Sequence, residues 1–134
     1  MMENSMPKII KAEHNEMNYH KGDIKVTGTI YADKSPCIVF TEPDSDEPIV
    51  KATSNITKEV GQYLPEDVVA IKNYSENAGV YQTLLNAEMI SHMFTMPIYE
   101  HTELYVVRVL DKDILKDIKE ALEYIDYLDN QRFG

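Results

Sequence analysis

Cysteine is nearly absent from this chain, tryptophan is missing, and arginine stands only at positions 108 and 132. One cysteine excludes a disulfide within the chain, and Cys37, beside Ile38, Val39 and Phe40, reads as a small apolar strand residue rather than a reactive thiol. With Arg108 and Arg132 as the only planar forks for phosphate, and 13 Lys plus Arg against 23 Asp plus Glu, nonspecific nucleic-acid binding is disfavoured. Apolar runs such as Val68 to Ile71 and Tyr105 to Val107 fall far short of the roughly 20 residues of a membrane span. Residues 1 to 6 carry Glu3 and none of the basic, apolar and small-residue succession of a secretory signal, so the protein is expected to stay where it is made.

Glycine is also scarce, and that removes several chemistries. The five glycines include no Gly-x-Ser-x-Gly elbow, and Gly22, Gly28, Gly61 and Gly79 never meet at the spacing of a phosphate-cradling loop. His14 with His20, and His92 with His101 near Glu100 and Glu103, fit no zinc or iron pattern. The turn from Asp44 to Pro48 begins like a calcium loop, but Ile49 and Asn55 fall where glycine and glutamate are required. Pairs of carboxylates are frequent because acids are frequent, so they point to no acid–base site. The reading is a protein that is not an enzyme and uses no cofactor or metal.

What remains is a chain of 134 residues, 43% hydrophobic, enough for one core without metals or disulfides. The net charge of −10 is spread evenly: −3 over residues 1–56, −4 over 57–110 and −3 over 111–134. Residues 1–22 read as a partly ordered arm in which only Ile9 and Ile10 resemble a strand, and 23–134 as a single α+β domain. Ile24, Val26, Gly28 and Ile30 alternate with polar neighbours, which predicts a strand. Further strands are predicted over 37–41, 49–56, 68–72 and 103–110, making an antiparallel sheet of about five. A central helix is expected with Ser75 as its cap and a stripe of Val80, Leu84, Leu85 and Ile90, closed off by Pro97. A long amphipathic helix capped by Asp111 or Asp113 ends the chain, with a stripe of Ile114, Ile118, Ala121, Leu122, Ile125 and Leu128. Leu115, Tyr124 and Tyr127 widen its apolar arc beyond one packing face, which suits either tyrosines snorkelling at the edge of a core helix or an oligomer interface.

The segment from Ile49 to Ile90 carries a family resemblance. Lys51-Ala52-Thr53-Ser54-Asn55-Ile56, Leu64-Pro65-Glu66-Asp67-Val68-Val69-Ala70-Ile71-Lys72, the loop Asn73-Tyr74-Ser75-Glu76-Asn77, then Gly79 and Leu84, resemble small uncharacterised proteins of phages and mobile elements of Firmicutes and other bacteria. The resemblance implies two strands and then a loop that caps a helix. The chain departs from that pattern between Ser91 and Glu103, which lacks glycine, and in its long closing helix. The loop has a purely structural reading too, since Asn73, Ser75 and Asn77 all suit caps and turns.

In size and architecture the chain also resembles, more loosely, the phage counter-defence sponges of the anti-Thoeris kind. That resemblance implies capture of a cyclic nucleotide immune signal, such as a cyclic ADP-ribose isomer, without cleavage, in the cytoplasm of a bacterial host. Such a site needs an aromatic platform, a cation or helix N-terminus for phosphate, and amides for specificity. Asn77, Tyr81, His92, Phe94 and Arg108 are the candidates, brought together across an interface of a homo-oligomer that uses Leu115, Tyr124 and Tyr127. The alternative is an acidic protein that occupies the surface of a basic, DNA-binding host or defence protein.

Overall fold

The structure, a computed structural model, describes residues 8–12, 22–45, 47–56, 65, 67–74, 77–99 and 102–133. It is α+β, with two antiparallel four-stranded sheets, a short helix and a long C-terminal one. The first sheet runs in the order β1 (Lys8–Ala12), β2 (Gly22–Ile30), β3 (Pro36–Thr41), β4 (Pro48–Lys51). The second comprises β5 (Thr53–Ser54), β6 (Val68–Lys72), β7 (Ile90–Tyr99) and β8 (Thr102–Val109), in the spatial order β5-β6-β8-β7. The helices are α1 (Val80–Asn86) and α2 (Lys112–Phe133).

The expected single sheet thus divides in two, and Ala52 is where it divides. Its N–H donates to the Ile38 carbonyl of the first sheet at 2.9 Å, and its own carbonyl accepts from Lys72 of the second at 3.0 Å. One buried residue therefore passes the chain from one sheet to the other with both backbone groups satisfied. Next to it, Thr53 Oγ1 lies 2.8 Å from the Tyr31 hydroxyl and 3.3 Å from the Ile38 amide that donates to it. Burial pushes the Tyr31 hydroxyl well above the ordinary tyrosine range, against the bond to Thr53.

Both sheets share one core. Ile24, Val26, Ile38 and Phe40 from the first meet Val69, Ile71, Ile90, Val107 and Val109 from the second, with Val80 and Leu84 of α1 and Ile114 and Ile118 of α2. The opposite face of the second sheet builds a smaller cluster from Ile56, Val68, Ala70, Leu104 and Val106. Both faces of β6 and β8 are therefore apolar, which explains the unbroken run Val68 to Ile71.

Two elements depart from the sequence reading. Helix α1 ends at Asn86, because Glu88 adopts a left-handed conformation at φ 57°. The Met89 and Glu88 amides then donate to the carbonyls of Leu84 and Leu85, a Schellman closure with glutamate in the position that favours glycine. Ile90, read as the end of the helical stripe, instead opens β7, a ten-residue strand. Pro97 lies inside β7 rather than closing a helix, and the strand tolerates it because β7 is at the edge of its sheet. Ile9 and Ile10, in the predicted arm, belong to β1, whose residues pair with β2 from Lys8↔Val26 to Ala12↔Gly22. His14, His20, Ser75 and His101 lie outside the described residues.

Candidate functional site

The loop before α1 is built by asparagines. Asn73 Oδ1 accepts the amides of Gly79 and Tyr81, each at 3.1 Å, and so caps α1 from outside the helix. Asn77 is buried and its Nδ2 donates to the Lys51 carbonyl at 2.7 Å, fastening the loop to the end of β4. Asn55 Nδ2 donates to Asp33 Oδ2 at 2.9 Å, tying the exit of β5 to the turn between β2 and β3. Asn55, Asn73 and Asn77 thus act as structural fasteners, and the Gly79 and Tyr81 amides at the start of α1 are taken by Asn73.

Tyr81 on α1 and His92 on β7 do come together, joined by Tyr105 of β8. The two tyrosine rings lie 4.5 Å apart with planes 31° from parallel. His92 stands 5.9 Å from each, edge-on at 88° to Tyr81 and at 62° to Tyr105. Tyr81 and Tyr105 are half-buried against the shared core, while His92 is exposed and its Nε2 is 3.3 Å from the Thr95 hydroxyl. Tyr105 was not among the sequence candidates. The signal for it was its alternation with Leu104 and Val106, which sets its side chain on the face opposite theirs.

Phe94 and Arg108 lie on the other face of the sheet. The register pairs His92 with Val107 and Thr95 with Tyr105, but Phe94 with Val106. An irregularity between His92 and Phe94 inserts Met93 and reverses the alternation there. Arg108 pairs in register with Val68 and Ser91, and its Nε is 3.1 Å from Asp67 Oδ2. The five candidate ligand residues are consequently a buried fastener, two members of a ring cluster, and two side chains on the reverse of the same sheet.

The three interface candidates also separate. Leu115 packs on the shared core and lines a cavity of about 400 Å³ with Asp67, Ile118 and Lys119. Tyr124 and Tyr127 are 61% and 57% exposed and are joined by Leu128, one turn beyond Tyr124. Helix α2 begins with Asp111 Oδ1 accepting the amides of Asp113 and Ile114, so of the two expected caps Asp111 is the N-cap and Asp113 lies in the first turn. Its inner half crosses β2 at Gly28, whose amide donates to Asp117 Oδ2 at 3.1 Å. Burial pushes the Asp117 carboxyl above the ordinary aspartate range, and the charges of Glu120, Asp113 and Asp111 push it further, against the pull of the Gly28 bond. Further along α2, Lys34 Nζ lies 3.1 Å from Asp126 and 3.7 Å from Asp129.

Among the described residues, no three His, Cys, Asp or Glu side chains are grouped to hold a metal ion, and no helix is long and apolar enough to cross a membrane. Compared with protein-family models, with curated proteins and with solved structures, the chain matches none.

Proposed function

We propose that this chain is a phage or prophage accessory protein that works by holding a ligand rather than transforming one, and that Tyr81, His92 and Tyr105 receive the flat ring of that ligand. The class that fits is a cyclic nucleotide signal of host defence, sequestered by stoichiometric binding. The three-ring cluster is the observation that supports it. It offers aromatic faces and edges from three different elements with the exposed His92 at its rim, the kind of surface on which a nucleobase stacks. Arg108 is engaged with Asp67 on the reverse face, so the phosphates fall to the His92 ring nitrogens and the Thr95 hydroxyl beside them.

The test is mass spectrometry of small molecules released by heating the purified protein, followed by titration with a panel of cyclic nucleotides that includes cyclic ADP-ribose isomers. Saturable binding is expected, weakened about tenfold or more in His92→Ala, in line with the roughly 1–3 kcal/mol of a base–aromatic contact. No released nucleotide and no binding across the panel, or binding indifferent to His92→Ala, sinks the reading.

A second reading, capture of a basic protein, is favoured by the outer half of α2. Residues 120–131 hold Glu120, Glu123, Asp126 and Asp129 and no Lys or Arg, whereas Lys112, Lys116 and Lys119 all precede them, so the acids of this stretch are set apart from the lysines of the same helix.

A further inference from the structure

We infer that the outer face of α2, built by Tyr124, Tyr127 and Leu128 with Glu120 and Glu123, is a docking surface for a basic amphipathic segment of another protein. The inference rests on the second reading above and names its site.

Helix α2 is about 33 Å long at 1.5 Å per residue, and its two halves are used differently. The inner half is spent on the core through Ile114 and Ile118 and on the strand amide of Gly28. The outer half runs beside the turn between β2 and β3, from which Lys34 reaches Asp126 and Asp129. With the helix rotated in this way, the face away from Lys34 presents Tyr124, Tyr127 and Leu128, all exposed. Their spacing of three and four residues makes them one contiguous patch. Exposed Glu120 stands one turn before Tyr124, and exposed Glu123 one turn before Tyr127.

Each tyrosine is therefore paired along the helix with a carboxylate. Such a surface is complementary to lysine and arginine, whose stems lie along rings and Leu128 while their heads reach Glu120 and Glu123. A second copy of the chain fits it poorly. Pairing this face with itself brings together two chains of net charge −10, each presenting Glu120 and Glu123 there.

The probe is a labelled synthetic amphipathic helix of leucine and lysine, titrated into the full chain, with a leucine–glutamate helix as its counterpart. The basic peptide is expected to bind and the acidic one not. Tyr124→Ala with Tyr127→Ala, and separately Glu120→Lys with Glu123→Lys, should each weaken binding about tenfold or more, the scale of losing a hot spot. Circular dichroism checks that each variant is folded. Asp44→Lys with Glu47→Lys, exposed on the turn between β3 and β4, makes the same change in net charge elsewhere and should cost less than about threefold.

An equal loss in that control overturns α2 as the site while leaving the basic-partner reading standing. Failure of the basic peptide to bind overturns both. A dimer by light scattering that Tyr124→Lys with Tyr127→Lys dissociates identifies the occupant as a second copy and overturns the basic partner at this face.

Discussion

Two residues show how close backbone demands and side-chain identity run in this fold. A Cβ at Gly28 meets the Ile114 carbonyl oxygen at 2.6 Å, Ile118 Cγ1 at 3.0 Å and Asp117 Cβ at 3.1 Å, so α2 approaches β2 at a distance that only glycine permits. Gly28→Ala is expected to cost about 2–3 kcal/mol by denaturant unfolding, because the obstacle is helix backbone that shifts only by lifting α2 off the sheet. Glu88 is the reverse case: its left-handed conformation closes α1 at a conformational penalty that glycine does not incur. Glu88→Gly should therefore stabilise the protein by about 0.5–1 kcal/mol, net of the greater freedom glycine gains in the unfolded chain; an unchanged or lowered denaturation midpoint contradicts it.

Asp117 gives a pH dependence of definite sign. Its folded carboxyl titrates above the ordinary aspartate value, so the folded state holds more protons than the unfolded state in the window between about 3.9 and the raised value. The stabilisation from this group is fully present below that window and is lost as pH rises through it. Asp117→Asn keeps an oxygen acceptor for the Gly28 amide and removes the charge, so it should be neutral or stabilising at pH 7. The advantage of the variant over the parent should shrink as the pH is lowered through the window, as followed by paired unfolding curves.

At the scale of elements, α2 is one helix with two mechanical environments. Its inner turns are anchored by buried Ile114 and Ile118 and by the Asp111 cap, while beyond Leu122 the exposed positions dominate and the Lys34 ion pairs are solvent-exposed. Exposed ion pairs add little. Hydrogen exchange should accordingly find amides near Ile118 protected almost to the level of β8, and those beyond Tyr127 exchanging far sooner through fraying. Uniform protection along the helix in the isolated protein contradicts this division, whereas added protection confined to the outer half in the presence of the basic peptide is what docking predicts.

The second sheet carries the lesson about legibility. His92 and Phe94 are two apart, and in an uninterrupted strand they share a face. The Met93 irregularity places them on opposite faces and brings His92 level with Thr95 instead. Nothing in Ser91-His92-Met93-Phe94 announces this, because a bulge is set by how two strands are paired and not by either strand alone. The aromatic candidates were visible by type, and Asn73 to Asn77 by its capping chemistry. Which of the rings meet, and that Tyr105 is the third, depended on the pairing.

Over the whole molecule, the net charge of −10 opposes compactness through self-repulsion, and the ion pairs of Lys34 with Asp126 and Asp129 and of Arg108 with Asp67 are exposed. Screening should therefore help more than it harms. The thermal midpoint is expected to rise between 50 mM and 500 mM sodium chloride, roughly one Debye length of 14 Å falling to about 4 Å, and a fall shows instead that attractive pairs outweigh the bulk repulsion.

The amino-acid sequence by itself determined the α+β class, the strands over β2, β3, β6 and β8, and the capped closing helix with its inner stripe, though not that Asn73 caps α1 or that Leu128 faces out. These follow from side-chain periodicity and local hydrogen bonding, which neighbours along the chain decide. Tertiary structure alone decided that the strand predicted over 49–56 passes between two sheets at Ala52, that Ile90 begins a strand, that Leu115 faces the core while Tyr124 and Tyr127 face out, and that Phe94 and Arg108 lie behind the ring cluster rather than in it. Each of those depends on cross-strand register or on the rotation of a helix against a sheet, quantities fixed by contacts between segments far apart in the chain.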